Sequence, residues 1–192
     1  MSTPLILASQ SPRRKELLEQ IGLVFTTRTA DVDERVLPGE ASTDYAVRVA
    51  LEKAQAIANQ VQQGIIIAAD TIVVLNSLIL GKPEDEKDAE RLLSLLSGKM
   101  HSVVTGLVVL DAETGRMQTG YRETRVWFRA LTAREIQAYI QTGEPLDKAG
   151  AYGIQGRGAL LIEKIEGCFF NVVGLPISLL QDMFKNIRIE LL

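Results

Sequence analysis

Leu5-Ile6-Leu7-Ala8-Ser9-Gln10-Ser11-Pro12-Arg13-Arg14-Lys15-Glu16-Leu17-Leu18 is the stretch from which the rest of this 192-residue chain is read. It opens as a short apolar run, which predicts a buried strand. The period then changes: Leu17, Leu18 and Ile21 share a helical face, and Gly22 stops the helix. Ser11 suits the N-cap, and Pro12 suits the first helical position, where its missing N–H costs nothing. A strand–turn–helix unit puts this turn beyond the carboxyl end of a strand, where open α/β sheets bind ligands. Arg13, Arg14 and Lys15 crowd three cations into the first helical turn. The helix dipole opposes each of them by about 0.3–1 kcal/mol. A bound anion removes the conflict, because free N–H groups, a Ser hydroxyl and two guanidiniums then converge on a phosphate. On these residues alone, a basic helix start facing solvent is the alternative.

Composition narrows the chemistry. The chain is 46% hydrophobic and 23% charged, which is ordinary for a globular protein, and its formal charge is −3. A negative balance argues against a bulk nucleic-acid binder, and none is expected as a partner. No secretory leader is recognisable, and no apolar run is long enough to span a bilayer, so no membrane association is expected. Cys168 is the single cysteine, which excludes an intrachain disulfide and suits a reducing cytoplasm. His101 is the single histidine, so no His/Cys zinc site can be assembled. Any metal is expected to be a hard cation on carboxylates, Mg²⁺ or Mn²⁺. His101 lies in a strand-like run and reads as structural.

Further along, Phe25-Thr26-Thr27 is a weak strand, and Asp31, Asp33 and Glu34 follow in a polar loop ending at Pro38-Gly39. That loop is either solvated or turned so that a carboxylate faces the basic turn and helps hold a metal. Ser42 or Thr43 is expected to cap a helix from Asp44 to about Gln62. Its apolar stripe is Ala46, Val49, Ala50, Ala54, Ile57 and Val61. Lys53 projects into that stripe and must snorkel or meet an anion. Residues 65–75 form the most apolar strand, β-branched almost throughout and suited to the centre of a sheet. Asp70 and Thr71 interrupt it. A carboxylate there needs a metal, a cation or a cleft, because an unpaired buried charge costs several kcal/mol.

Asn76-Ser77 reads as a turn to a second strand, Leu78-Ile79-Leu80, and Lys82 follows between Gly81 and Pro83 on extended backbone. Asp85 caps a helix carrying Ala89, Leu92, Leu93 and Leu96. Strands are expected over 103–110 and 122–129, and Thr132 with Glu135 makes a capping box for the next helix. Residues 147–159 interleave four glycines with Asp147, Lys148, Tyr152 and Gln155, and the Gln155 amide can read the edge of a base. Glu166-Gly167 suggests a hairpin, and Leu175-Pro176 opens a last helix. Repeats, low-complexity segments and linkers are not seen. The chain reads as one mixed α/β domain, residues 1–192, with two lobes around a cleft.

With those residues in place, the chain resembles the Maf family of nucleoside triphosphate pyrophosphatases, also known as septum formation inhibitor proteins. The resemblance rests on Ala8-Ser9-Gln10-Ser11-Pro12-Arg13-Arg14, Ala69-Asp70-Thr71, Gly81-Lys82-Pro83, Gly150-Ala151-Tyr152-Gly153-Ile154-Gln155-Gly156 and Asn171-Val172-Val173-Gly174-Leu175-Pro176, in that order. It covers essentially the whole chain and implies a Maf/ITPase-like α/β fold: a mixed twisted sheet flanked by helices, with two lobes around a deep central cleft. It also implies a cytoplasmic homodimer that uses a divalent metal to split a nucleoside triphosphate into monophosphate and pyrophosphate. The glycine-rich loop resembles the branch acting on dTTP and UTP. A 7-methyl-GTP pyrophosphatase of the sister branch, or a non-catalytic nucleotide-binding regulator of division, is the alternative. Ser9, Arg13, Arg14, Lys53 and Lys82 are then expected on the phosphates. Asp70 is expected as the catalytic base or, with Glu34, as metal ligand. Arg13, Thr71 and Gln155 are expected to set specificity. Residues 28–39, which include Glu34, match the family pattern more loosely than the other motifs.

Overall fold

A computed structural model describes residues 3–189. The elements in chain order are β1 (Leu5–Ala8), α1 (Pro12–Gln20), β2 (Phe25–Arg28), α2 (Ser42–Ala58), β3 (Ile65–Leu75), β4 (Leu78–Leu80), α3 (Glu86–Leu96), β5 (Met100–Asp111), β6 (Met117–Phe128), α4 (Ala133–Ile140), β7 (Ile162–Glu166), α5 (Phe169–Val173) and α6 (Ile177–Asn186). Short 3₁₀ turns fill the stretch between α4 and β7. The strands form one mixed seven-stranded sheet in the order β2-β1-β3-β5-β6-β7, with β4 paired to β3. β1 runs parallel to both β2 and β3, whereas β4 on β3 and β7 on β6 are antiparallel. The expected α/β class, the mixed sheet and the flanking helices are all present.

The chain divides into two compact units. Within the described residues, the first takes in the chain up to Asp70, residues Thr105–Arg122, and the chain from Gly174 onward; the second holds Thr71–Val104 and Glu123–Val173. Each has its own apolar core. In the first unit, Ala50, Ala54 and Ile57 of α2 pack on Ile6 and Ala8 of β1, Ile66 and Ala68 of β3, and Val108 and Leu110 of β5. Small residues on the helix let it lie close to the strands. Gly106 of β5 marks the closest approach: a Cβ there would sit 2.2 Å from the carbonyl oxygen of Ala46. In the second unit, α3 and α4 supply Leu92, Leu93, Leu96, Ile136 and Ile140, packed with Val73, Val126 and Phe128.

Local chemistry explains most element ends. Asn76 and Ser77 both have positive φ, as a two-residue hairpin turn needs, and join β3 to β4. The Asp85 side chain caps α3 by accepting from the Asp88 N–H at 2.7 Å. Thr132 and Glu135 complete the expected capping box on α4. Elsewhere the structure departs from expectation. Ser11 takes the N-cap position of α1, but its side chain makes no capping bond; Ser9 Oγ instead accepts from the Ser11 N–H at 3.1 Å. α2 begins at Ser42 with Ala41 at the N-cap, and it ends four residues short of Gln62, at Ala58. β6 starts at Met117 rather than Arg122.

The hairpin expected at Glu166-Gly167 does not form. β7 pairs back onto β6, and the next apolar residues turn into α5. The cause is a buried amide. Asn171 Nδ2 donates to the Val103 carbonyl at 2.9 Å and to Thr124 Oγ1 at 3.0 Å, and the same hydroxyl accepts from the Cys168 N–H. Those bonds draw residues 168–171 onto the sheet as a helical turn.

Candidate functional site

Two periodicities meet at Asp70. On β3, side chains alternate faces, so Asp70 follows Ile66 and Ala68 toward α2. On α2, Tyr45, Val49 and Lys53 are spaced by four and lie on the buried side. Lys53 Nζ therefore reaches Asp70, donating to Oδ1 at 2.7 Å, with the two side chains only 13% and 12% exposed. The sequence left Lys53 a choice between snorkelling and meeting an anion, and it meets an anion. A second carboxylate joins it: Glu34 Oε1 lies 2.6 Å from the same ammonium. The acidic loop thus delivers the residue that the family pattern matched most loosely.

Glu34 is exposed, but its loop is tied down from α2. Tyr45 Oη donates to the Glu34 carbonyl at 2.6 Å. Arg48 donates to both oxygens of Glu40, from Nε at 2.6 Å and from Nη2 at 3.0 Å. It also reaches the Arg35 carbonyl at 2.9 Å and Glu52 at 3.0 Å. These bonds hold the Glu40 carboxyl below its usual range. Burial, with the negative charges of Asp70 and Glu34 nearby, pushes the Tyr45 phenol up to about 12, so it remains a donor at any physiological pH. Tyr45 and Arg48 went unremarked in the sequence as site-builders. The fourfold spacing from Tyr45 to Lys53 was the available signal for the first; Arg48 lies off the apolar stripe and gave none.

The basic turn between β1 and α1 belongs to the same unit. Arg13 and Arg14 are half-buried. Arg14 Nε donates to the Gly174 carbonyl at 2.8 Å and Nη1 to Ser9 Oγ at 3.2 Å, so this guanidinium braces the turn against the chain entering α6. Burial pulls its pKa down, Asp70 and Glu34 raise it, and Arg13 lowers it again. Ser9, Arg13, Arg14, Glu34, Lys53 and Asp70 thus form one charged cluster in the first unit.

Thr71, Lys82 and Gln155 belong to the second unit. Lys82 and Gln155 are exposed. Their segments are linked, because the Gly150 N–H donates to the Gly81 carbonyl at 2.9 Å. Gly150 has φ +66, and a Cβ there would press on Val73 at 3.0 Å, so glycine is required both for the turn and for the approach. Tyr152 anchors the loop by its hydroxyl, 2.7 Å from His101 Nε2, and both rings pack edge-on against Phe128. His101 is therefore structural, as expected, with burial lowering its pKa to about 4.

The residues that could hold a divalent cation are Glu34 and Asp70. Their carboxylates already converge on one ammonium, so a hard cation fits the same oxygens. Among the described residues no cluster of three or more His, Cys, Asp or Glu could hold a metal. Two protein oxygens suit Mg²⁺, which keeps several waters and takes substrate phosphates as its other ligands. Chemically, the cluster offers a carboxylate base, fixed cations for phosphate oxygens, and hydrogen-bond donors at a helix N-terminus.

The likeness to known proteins runs over nearly the whole chain. The family model described as "Maf-like protein" matches residues 4–187. A dTTP/UTP pyrophosphatase of Syntrophomonas wolfei is 50% identical over 180 residues, covering 94% of this chain and 95% of its own. A protein of the same name from Anaeromyxobacter dehalogenans is 51% identical over 180 residues, covering 93% and 91%. Another of that name, from Methanosarcina barkeri, is 44% identical over 188 residues, covering 97% and 95%.

Proposed function

The chain belongs to the Maf-like protein family, and from that premise we propose that it is a dTTP/UTP pyrophosphatase, hydrolysing the α–β bond to give the monophosphate and pyrophosphate. The observation that carries the chemistry is the Lys53 ammonium held between Asp70 and Glu34, beside the basic turn. The relatives' common name supports the substrate class. The match of one family model from residue 4 to residue 187 supports a single functional domain. No helix among the described residues is long and apolar enough to cross a membrane. The cytoplasm and a homodimer complete the reading, supported by the family likeness and, for the reducing compartment, by the lone cysteine.

Opening the α–β anhydride needs in-line attack of water on the α-phosphorus and charge neutralisation on the departing pyrophosphate. Arg13, Arg14, Lys53 and Lys82 supply positive charge, and Ser9 with the start of α1 supplies hydrogen bonds. Asp70 takes the proton of the attacking water at its carboxylate. Lys53 orients that carboxylate and, by shifting toward the phosphates, frees it for the proton. Glu34, with Asp70 where it is not the base, would hold a divalent cation, which would supply charge stabilisation on phosphate oxygens and a more acidic water. Gln155 reads the uracil-type edge of the base, with Thr71 and Arg13 assisting. Its amide matches O4 and N3–H of uracil or thymine, whereas cytosine reverses that pattern. One C5 methyl is worth only about 1–3 kcal/mol, so dTTP and UTP are both accepted.

The experiment compares dTTP, UTP, CTP and 7-methyl-GTP at matched concentration with Mg²⁺ or Mn²⁺, following pyrophosphate. We expect dTTP and UTP to lead, with CTP and 7-methyl-GTP well behind, and Gln155→Ala to flatten the difference between UTP and CTP. Equal turnover of UTP and CTP by the wild type, or preference for 7-methyl-GTP, overturns the substrate assignment. Absence of pyrophosphate release from every nucleotide overturns the enzyme itself.

A further inference from the structure

The segment that presents Gln155, residues 153–158, is half glycine. Gly153, Gly156 and Gly158 surround it, and Gln155 itself is exposed. Such a stretch does not hold one conformation by packing, because glycine has the largest backbone entropy to lose on ordering. Something outside it must fix the shape, and Glu144 does so. Its Oε1 accepts from the Arg157 N–H at 3.1 Å and its Oε2 accepts from the Gly158 N–H at 3.3 Å. One carboxylate therefore satisfies two consecutive amides, two and three residues after Gln155. Gly156 lies against the same group: a Cβ there would stand 2.9 Å from Oε1, so the carboxylate occupies the space a side chain would need.

On the other flank of Gln155, Tyr139 Oη accepts from the Gly153 N–H at 3.2 Å. Gly158 is pressed close as well, since a Cβ there would lie 2.1 Å from the Gly153 carbonyl oxygen. The two ends of the Gln155 segment are thus brought together and clipped from outside. Glu144 is itself held in place. Its N–H donates to Thr142 Oγ1 at 3.1 Å, and Lys148 Nζ donates to its carbonyl at 2.5 Å. Nothing in this arrangement requires Glu144 to touch substrate.

We propose that Glu144 is a positioning residue for base selection: its carboxylate clips the Arg157 and Gly158 amides and so fixes where Gln155 presents its amide. This rests on Gln155 being the reader of the base, as proposed above. It predicts a coupling that a purely structural glutamate does not have. Loosening the clip costs base discrimination and KM, while the charged cluster around Asp70, in the other unit, keeps its kcat.

The test measures kcat and KM for UTP and CTP with wild type, Glu144→Ala, Glu144→Gln, Gln155→Ala and the Glu144→Ala/Gln155→Ala double variant, each checked by circular dichroism and thermal unfolding. Glu144→Ala is expected to lower the UTP-over-CTP ratio of kcat/KM by about tenfold, mainly through KM for UTP. Glu144→Gln keeps one acceptor oxygen and is expected to fall in between. The double variant is expected to discriminate no worse than Gln155→Ala alone, because both changes remove the same reading step. A folded Glu144→Ala with wild-type discrimination overturns the proposal, as does an additive double variant. If Glu144→Ala does not fold, Glu144→Gln decides: unchanged discrimination overturns the proposal and a reduced ratio supports it. If Gln155→Ala itself leaves discrimination unchanged, the reading of Gln155 fails, and the positioning role falls with it. If only the Glu144 variants are neutral, the positioning role fails alone.

Discussion

Asp70 combines burial with a charged partner. At 12% side-chain exposure its carboxylate would be costly alone, and Lys53 offsets that cost by a bond of 2.7 Å. Asp70→Asn keeps the shape and one acceptor oxygen, and Lys53 keeps Glu34. The variant is therefore expected to fold and to bind UTP while losing about 10²–10⁴-fold in turnover, the usual worth of a positioned base. Pyrophosphate release and equilibrium binding of UTP, measured side by side, check this; wild-type turnover would remove Asp70 from the reaction. The residue was legible in the sequence because a lone carboxylate in an apolar strand has few physical excuses. Arg48 and Glu144 were not legible as site-builders, and Tyr45 only by its spacing to Lys53, because each acts on backbone groups of another segment. Only the folded chain brings Tyr45 Oη to the Glu34 carbonyl, or Glu144 to the Arg157 amide.

Elements defined by neighbouring residues were readable, and those defined by distant bonds were not. The α4 capping box and the Asn76-Ser77 turn are local chemistry, and both formed as expected. The strand–turn–helix opening formed too, although Ser9 rather than Ser11 supplies its side-chain acceptor. The false hairpin at Glu166-Gly167 came from reading the short run that follows it by apolarity alone, when the deciding residue was Asn171 with partners at Val103 and Thr124. Within β5, His101 carries a prediction of its own. The folded protein holds the imidazole near pKa 4, whereas an unfolded chain has it near 6.5. Above pH 6.5 both states are neutral and the histidine has no pH-linked effect. From 6.5 down to 4 only the unfolded state gains the proton, so stability falls by about 1.4 kcal/mol per pH unit, roughly 3 kcal/mol in all. Below 4 the loss levels off. Urea unfolding of wild type and His101→Gln across pH 4–7 checks this: the variant's curve is expected to be the flatter, and parallel curves would show that His101 is not responsible.

At the scale of the whole molecule, the α/β class followed from alternating strand and helix patterns, and the charged motifs followed from residues placed where charge is expensive. Two compact units with separate cores are present. The spacing between helix and sheet was not legible, because it depends on an atom that is missing. Gly106 lets the α2 backbone at Ala46 come where any side chain would collide at 2.2 Å. Gly106→Ala is expected to lift α2 by roughly 1 Å, since close-packed interiors have no slack to absorb a methyl group. Lys53 rides on that helix two turns further along. A displacement of about 1 Å at a reacting group can cost on the order of 10²-fold in rate. Turnover of the folded variant, measured well below its melting temperature, is expected to drop on that scale; a folded Gly106→Ala with wild-type turnover would show that the helix yields without moving Lys53. The position works as a mechanical gauge: the absence of one carbon in the sheet sets the reach of a cation that stands, in sequence, more than fifty residues away, and the chain's tolerance for error is narrowest at a residue that takes no part in the chemistry.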